Sequence, residues 1–421
     1  MYVNGSLIKN INESKLIRFL RGKNCIQTEG EKGKDISFWI SDLLDDDKVK
    51  SVDLNSFFFE ELFYGKSNMV NVFQINSCKD LRDEEVWLER LSQTYNIDSI
   101  QFNNIMTTTV TSDTPVKIVA INSIFDEEGK ITRLRMILVR HICINLNGKE
   151  SNSCCYLAVE FNLDDKLFII KIRNQYGIVN KEHRPRASID KIVCNLKMEM
   201  GFETKEYGEN HQKVLYNMSK GLLRELYQSI PNYDDVNKMD KSIEIFIKDT
   251  IKNIVISNLE EDLKGNVTIN PGVVDLKDEL KKVLQHLIVS DYFLNEDVDV
   301  FSKNNVSAAI TSIKFNDTER NTARLTGENN TKAIVCSRTF MSMRRSIEAV
   351  QNVSALSIAY KRKNDSIEVK FDASEKDKLS IMILNQKYYD ESDFNKIWGI
   401  YKKYESKSIK RFTKIRKVSV G

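Results

Sequence analysis

The last segment of the chain combines basic and aromatic side chains, a composition suited to binding phosphate groups. Its basic residues are Lys402, Lys403, Lys407, Lys410, Arg411, Lys414, Arg416 and Lys417. Tyr401, Tyr404 and Phe412 interleave with them, where they could stack on bases or pack on the protein. Such a segment attracts polyanions without regard to sequence. We therefore predict that the eight basic residues contact nucleic acid; the alternative is helix-closing cations followed by a solvated tail.

The charge of the chain as a whole is nearly balanced, with 63 basic and 60 acidic residues and a net charge of +3. The segment 402–417 holds eight of those basic residues and one of the acidic ones, which leaves 55 basic against 59 acidic residues elsewhere. Positive charge is thus concentrated at one end. This asymmetry favours a polyanionic partner.

A second cluster of cations surrounds the expected start of a helix over 188–200. Its members are Lys181, His183, Arg184 and Arg186, and Pro185 fits the first helical turn. Free backbone N–H groups at a helix start bind anions, and nearby arginines strengthen that binding. We predict an anion-binding site here for a phosphate of nucleic acid or nucleotide. The alternative is a surface loop whose arginines pair with neighbouring carboxylates.

Two further arginines extend the predicted nucleic-acid surface. Arg338 and Arg345 are seven positions apart and share one face of a helix predicted over 339–350. Arg344 and the basic run 361–363 lie near them in the sequence. We include Arg338 and Arg345 among the nucleic-acid-binding residues, with ordinary surface charges as the alternative.

One short pattern suggests a nuclease instead. Restriction-type nucleases hold a divalent metal with an Asp and a Glu-x-Lys motif on adjacent strands. Glu368 and Lys370 have the spacing of that motif on a predicted strand. Asp365 precedes them in the turn rather than on a partner strand, so the motif is incomplete. Glu368 and Lys370 are the candidate catalytic residues of this alternative, which would require Mg²⁺. Otherwise we expect no cofactor and, from the cysteine and histidine spacing, no metal site.

Other catalytic patterns are absent from the sequence. There is no phosphate-binding GxxxxGK[ST], no GxGxxG, no GxSxG and no HExxH. These absences disfavour nucleotide hydrolysis and dinucleotide-dependent chemistry. His141 falls within a predicted strand and is interpreted as structural, so histidine catalysis is not expected. The sequence alone leaves open whether the protein is an enzyme.

The central elements form a predicted antiparallel meander. A two-residue turn at 164–165 brings paired residues to positions that sum to 329, so that Phe161 faces Phe168. The apolar pairs of this hairpin define a buried face. The opposite face carries Tyr156, Glu160, Lys171 and Arg173. We expect water or a partner on that face.

The fold class predicted from these patterns is a multidomain α+β protein. It has a central antiparallel β-meander, a helical middle segment and a C-terminal α/β domain with a basic arm. The expected parts are 1–105 (mixed α/β), 106–180 (antiparallel sheet), 181–299 (helical) and 300–421 (C-terminal α/β). Helices are expected over 80–95, 188–200, 210–229, 240–263 and 276–294, and from about 391 to 404.

Composition indicates a cytoplasmic protein, because the sequence shows no secretion signal, no membrane-spanning run and no disulfide framework. The abundance of Lys, Asn and Ile suggests a low-GC bacterium or its mobile elements. The leading hypothesis is a nucleic-acid-binding component, for DNA or RNA, of anti-phage defence or mobile-element maintenance. A partner protein would supply enzymatic activity. A non-enzymatic assembly subunit is the third hypothesis, and a homo-oligomer is compatible with each of them.

Overall fold

In this computed structural model the chain forms two compact units, Met1–His211 with Val369–Ile400 and Gln212–Glu368 with Tyr401–Gly421. The structure describes residues 3–27, 35–78, 80–253, 259–261, 267–269, 274–294, 306, 308–316, 322–327, 333–334, 338–363 and 365–418. Within these ranges it describes the backbone alone at 251–252, 259–261, 267–269, 274, 293–294, 338, 341–342, 345 and 406–418.

Helices and strands of both units confirm the predicted α+β class. The helices are Gly5–Asn10 (α1), Glu13–Gly22 (α2), Ile36–Asp45 (α3), Ser51–Phe63 (α4), Glu84–Tyr95 (α5), Pro185–Glu199 (α6), Asn210–Gln228 (α7), Asp240–Asn253 (α8), Leu276–Leu294 (α9), Arg338–Val350 (α10) and Glu391–Val418 (α11). The strands are Met69–Ile75 (β1), Phe102–Asn103 (β2), Lys117–Phe125 (β3), Ile131–Leu146 (β4), Lys149–Asn162 (β5), Leu167–Ile172 (β6), Thr204–Lys205 (β7), Leu259–Glu261 (β8), Val267–Ile269 (β9), Val274–Asp275 (β10), Ala308–Asn316 (β11), Thr322–Thr326 (β12), Ala355–Lys361 (β13), Ser366–Asp372 (β14) and Leu379–Ile383 (β15).

Two predicted helix ends are wrong. The helix predicted over 240–263 ends at Asn253, and a strand begins at Leu259. The last helix does not end near Tyr404 but continues to Val418, so the backbone of the basic segment is helical. The domain boundaries near 105, 180 and 300 stay predictions.

The first unit is built on one antiparallel sheet. Its strand order is β14-β15-β1-β6-β5-β4-β3-β2, and β7 pairs with β1. The hairpin register predicted for β5 and β6 is confirmed, with Phe161 opposite Phe168. At the β4–β5 turn, Asn147 and Gly148 have φ angles of 54° and 80°. Positive φ at both central residues defines the type I′ turn that such hairpins prefer.

The core of this unit lies on both faces of the sheet. On one face, α5 and α6 contribute Trp87, Leu91, Ile189 and Leu196 to a cluster with the apolar side chains of β4, β5 and β6. On the other face, α1 and α4 pack on the central strands. Because both faces are covered, all six residues of β6 are buried.

The prediction for the polar face of the β5–β6 hairpin is wrong, because helices cover that face. We expected water or a partner against Tyr156, Glu160 and Lys171, yet all three are buried, and Lys171 has no exposed surface. The rings of Phe63 and Tyr64, at the end of α4, lie over the Lys171 ammonium. The polar residues of this face therefore belong to the interior of the unit. Arg173 is half-buried at the end of the hairpin.

The second unit combines helices with shorter strands. It contains α7–α10, an antiparallel group in the order β12-β11-β13, and a small sheet in the order β10-β9-β8. The helix expected over 276–294 is confirmed as α9, with the same bounds. The strand predicted over 332–336 lies largely outside the described residues. Within this unit, Gly221 of α7 lies against the ring of Tyr404.

Candidate functional site

The described side chains at the start of the basic segment are paired with carboxylates. Lys402 lies 2.8 Å from Glu405, and Lys403 lies 2.5 Å from Glu225 of α7. The other six predicted contacts, Lys407, Lys410, Arg411, Lys414, Arg416 and Lys417, are placed by the backbone of α11, and their side chains lie outside the described residues.

The aromatic residues at this end of α11 pack on the protein. Tyr401 has no exposed surface, and Tyr404 is 3% exposed. The Tyr404 hydroxyl donates a hydrogen bond to Glu225 at 3.3 Å. Of the two roles considered for these rings, packing is the one that the structure supports.

Arg338 and Arg345 both lie on the backbone of α10, and their side chains are outside the described residues. Their neighbour Arg344 is half-buried and donates to Glu348 at 2.9 Å. It borders a cavity of about 360 Å³ that residues of α7, α9 and α10 enclose within the second unit. The structure thus places Arg344 in a paired, enclosed position.

The residues of the nuclease alternative have local partners. Glu368 accepts a hydrogen bond from the Thr311 hydroxyl at 2.9 Å, and Lys370 pairs with Asp372 at 2.6 Å. Within the described ranges, no group of three or more His, Cys, Asp or Glu side chains is arranged to hold a metal ion. The nuclease role of Glu368 and Lys370 stays a prediction.

The members of the predicted anion-binding cluster lie at the start of α6. Lys181 and His183 form a short 3₁₀ helix, and Arg184 is the N-cap of α6, with Pro185 at its first position as expected. Arg186 is exposed and pairs with Glu375 at 2.7 Å. Of the four, His183 lines the cavity that is described next.

That cavity has a volume of about 610 Å³ and lies within the first unit. It is enclosed by the end of α5, the loop 112–116, the strands β3 and β4, and α6. The side chains that can carry positive charge there are Lys117, Arg140, His141, His183 and Lys191. We call this site the basic cavity. Its size is within the range of small-molecule and cofactor sites.

Arg140 is the most constrained cation of the basic cavity. It is 8% exposed, and its Nη1 atom donates to the Ser188 hydroxyl at 3.2 Å. Its Nε atom is buried without a hydrogen-bond partner among the described residues. Ser188 in turn donates to the His183 carbonyl at 3.0 Å, which links Arg140 to the start of α6. A fixed guanidinium with unused donor capacity is suited to an anionic ligand.

The electrostatics of the basic cavity are consistent with an anion site. Burial lowers the pKa of His183, and the guanidinium of Arg140 lowers it further. His141 and Lys191 act in the same direction, while Glu182 opposes them. Among the described residues that line the cavity, Glu199 is the only carboxylate, and it accepts a hydrogen bond from the Tyr95 hydroxyl at 2.5 Å. Basic side chains therefore outnumber carboxylates in the lining of the cavity.

A second, smaller cationic cavity of about 310 Å³ lies elsewhere in the first unit. It is bordered by Lys66 and Arg173, which both donate to the Lys9 carbonyl, at 2.9 Å and 3.1 Å. Burial and the charge of Arg173 lower the pKa of Lys66. These two cations are held close together despite their repulsion.

Sequence reasoning found His183 but missed Arg140 and His141. Both missed residues lie in β4, whose apolar pattern predicted a strand but not what its polar residues face. The signal that could have raised their priority is a pair of adjacent cationic side chains inside an otherwise apolar run. What lies beside them is set by α6 and the 3₁₀ helix before it, which is a tertiary relationship.

Comparison with known proteins assigns no family, because no protein-family model matches the chain and no curated protein sequence is significantly similar to it. In the part of the chain that the structure describes, no helix has the length and apolar character needed to cross a bilayer.

Proposed function

We propose that the protein binds nucleic acid and that the basic cavity holds the sugar-phosphate backbone. The observation that carries this proposal is Arg140, a nearly buried guanidinium with an unpartnered Nε atom beside His141, His183 and Lys191. Burial of a cation is costly, and a phosphate in the cavity would add to the counter-charge that Glu182 provides for Arg140. The basic residues of α11 would add phosphate contacts that do not depend on sequence.

The wider role belongs to the same proposal. The abundance of Lys, Asn and Ile supports a component of a bacterial or phage system, either anti-phage defence or mobile-element maintenance. An associated protein and self-association are compatible with that role, and a cytoplasmic location would give access to nucleic acid.

A pair of exposed lysines tests the cavity without disturbing the interior. Lys117 and Lys191 are both exposed and line the basic cavity, so the double variant K117Q/K191Q removes two charges. The matched control is K149Q/K205Q, which removes two exposed charges of the same unit that do not line the cavity. Binding of a labelled single-stranded oligonucleotide would be followed by fluorescence anisotropy across a salt series.

Each phosphate contact on a single strand contributes about −0.7 to the slope of log K against log salt. We therefore expect the affinity of K117Q/K191Q to fall roughly fivefold per lysine at 0.1 M salt, with a shallower slope. The control should bind within about twofold of the wild type, because its lysines make no phosphate contact. Equal affinities for the two double variants would contradict the cavity as the binding site.

A further inference from the structure

Two of the four histidines of the chain line the basic cavity. His141 comes from β4 and His183 from the 3₁₀ helix before α6, so the fold unites residues that are well separated in the sequence. Both are half-buried, and within the described ranges neither imidazole has a hydrogen-bond partner. A histidine kept for structure normally uses its ring nitrogens, whereas these are available to a ligand.

The surroundings of the two imidazoles suit proton transfer at a phosphate. Burial is the largest cause of the lowered pKa of His183. The charged groups Arg140, His141 and Lys191 lower this pKa further, whereas Glu182 raises it. A histidine with a lowered pKa is neutral near pH 7 and can accept a proton. Arg140, Lys117 and Lys191 would stabilise additional negative charge on a phosphate as it reacts.

We propose that the basic cavity cleaves RNA by transphosphorylation, with His183 as the general base and His141 as the general acid. This inference rests on the proposed binding of nucleic acid. His183 removes the proton of a ribose 2′-hydroxyl, whose oxygen forms a bond to the adjacent phosphorus. The bond from phosphorus to the 5′-oxygen of the next nucleotide breaks, and protonated His141 gives that oxygen a proton.

The products are a 2′,3′-cyclic phosphate and a free 5′-hydroxyl. The reaction consumes no water. His183 takes up one proton and His141 releases one, and proton exchange with solvent then returns both imidazoles to their starting states. RNA is the substrate because DNA lacks the 2′-hydroxyl nucleophile. Two positioned proton-transfer groups each contribute about 10²–10⁴-fold to such a rate.

The test uses the full-length protein and three oligonucleotides in the presence of EDTA: an RNA, a DNA of the same sequence, and that DNA with a single ribonucleotide. We expect cleavage of the RNA, cleavage of the chimera only after its ribonucleotide, and no cleavage of the DNA. Mass spectrometry should find the 2′,3′-cyclic phosphate. The rate should fall at low pH, where His183 becomes protonated and can no longer accept a proton.

The variants His141→Ala and His183→Ala should each lower the cleavage rate about 10²–10⁴-fold while the affinity for RNA changes little. His286→Ala is the control, because His286 lies in α9 of the second unit and does not line the cavity. Thermal unfolding of each variant confirms that the fold is retained. Identical purification of all variants excludes a contaminating ribonuclease as the source of a difference.

The two proposals fail in different ways. If the wild-type protein does not bind RNA or DNA, the proposed function is wrong and this inference is wrong with it. Binding without cleavage would overturn the inference alone. Cleavage that persists at the wild-type rate in both histidine variants would also overturn it, because the two imidazoles would then have no catalytic role.

Discussion

The Nζ atom of Lys171 lies 3.9 Å from the centroid of the Tyr64 ring and is covered by it. The rings of Phe63 and Phe394 lie 4.3 Å and 4.4 Å from the same atom. Lys171 has no exposed surface, and among the described residues its ammonium has no hydrogen-bond partner. Three aromatic faces thus replace the water and acceptors that an ammonium normally has.

The first prediction concerns how Lys171 couples stability to pH. Burial lowers the pKa of Lys171 to about 7, below its value of about 10.4 in an unfolded chain. Between these two values the unfolded state binds more protons, so the free energy of unfolding rises with pH, by up to about 1.4 kcal/mol per pH unit. Below the folded pKa this rise is absent.

In the variant Lys171→Met, the free energy of unfolding should therefore no longer rise between pH 7 and 10. The stability gained relative to the wild type should be largest at low pH. Urea unfolding at a series of pH values measures this. Lys149→Met is the control, because Lys149 is exposed in the same unit. A wild-type pH dependence retained in Lys171→Met would show that another group is responsible.

The second prediction concerns the ion cluster beside Lys171. Arg135 is 6% exposed and pairs with Glu391 and, at 3.4 Å, with Glu60, while its Nε atom lies 4.0 Å from Glu160. Arg133 also pairs with Glu160 at 3.2 Å and with Glu391 at 3.5 Å, so the loss of Arg135 leaves part of the counter-charge in place. Arg135→Met should therefore lower the free energy of unfolding by about 1–3 kcal/mol, less than the loss of a partner from a fully buried pair.

A surface pair provides the matched control for Arg135. Arg82 pairs with Asp164 at 2.6 Å, and the two side chains are 34% and 59% exposed. Exposed pairs contribute about 0–1 kcal/mol, so Arg82→Met should have little effect. Similar losses in Arg82→Met and Arg135→Met, measured by urea unfolding, would contradict the distinction between a buried and a surface ion pair.

The hairpin of β5 and β6 shows which features the sequence could predict. Its register follows from a short turn and from large apolar residues at every second position of both strands, and both features are local. The burial of its charged face does not depend on local sequence, because the aromatic rings over Lys171 come from α4 and α11, which are distant in the sequence. A buried lysine beside aromatic rings has the same local pattern as an exposed one.

The same argument applies to the candidate site. The place of Pro185 in the first turn of α6 was predictable from helix-capping preferences, which depend on neighbouring residues, although α6 begins at Pro185 rather than at residue 188. The approach of His141 to His183 was not, because it depends on how α6 packs on the sheet. Sequence patterns therefore predicted some residues of an anion site but not the buried residues that line it, among them Arg140.

The third prediction tests the contact of α7 with Tyr404. A Cβ atom at Gly221 would lie 2.2 Å from Cε1 of Tyr404, too close for the two to coexist unshifted. Glycine inside a helix normally costs about 1 kcal/mol relative to alanine, so Gly221→Ala should stabilise an isolated α7. Here we expect it to destabilise the protein by about 1–3 kcal/mol instead.

A double-mutant cycle separates these two effects. In a Tyr404→Ala background the clash is gone, and Gly221→Ala should become stabilising by about 1 kcal/mol. Thermal unfolding of the wild type, both single variants and the double variant measures the coupling. If Gly221→Ala changes stability equally in both backgrounds, the contact with Tyr404 is not the reason that alanine is unfavourable at position 221.

The fourth prediction separates the basic segment of α11 from the basic cavity. A chain that ends at Glu405 loses Lys407, Lys410, Arg411, Lys414, Arg416 and Lys417 but keeps the buried Tyr401 and Tyr404. Because the buried Tyr401 and Tyr404 are retained, its melting temperature should stay close to that of the full chain. Ending the chain at Tyr401 would instead remove Tyr404 and its bond to Glu225.

Affinity for a single-stranded oligonucleotide should fall in the shortened chain, and the salt dependence should become shallower, because fewer phosphates are neutralised. K117Q/K191Q should lower the affinity by the same factor in the shortened and full-length chains, since independent contacts add. A full-length chain with the six basic residues changed to Gln controls for the loss of backbone. An unchanged affinity and salt slope in both altered chains would remove these six residues from the interface and leave the basic cavity as the remaining proposed contact.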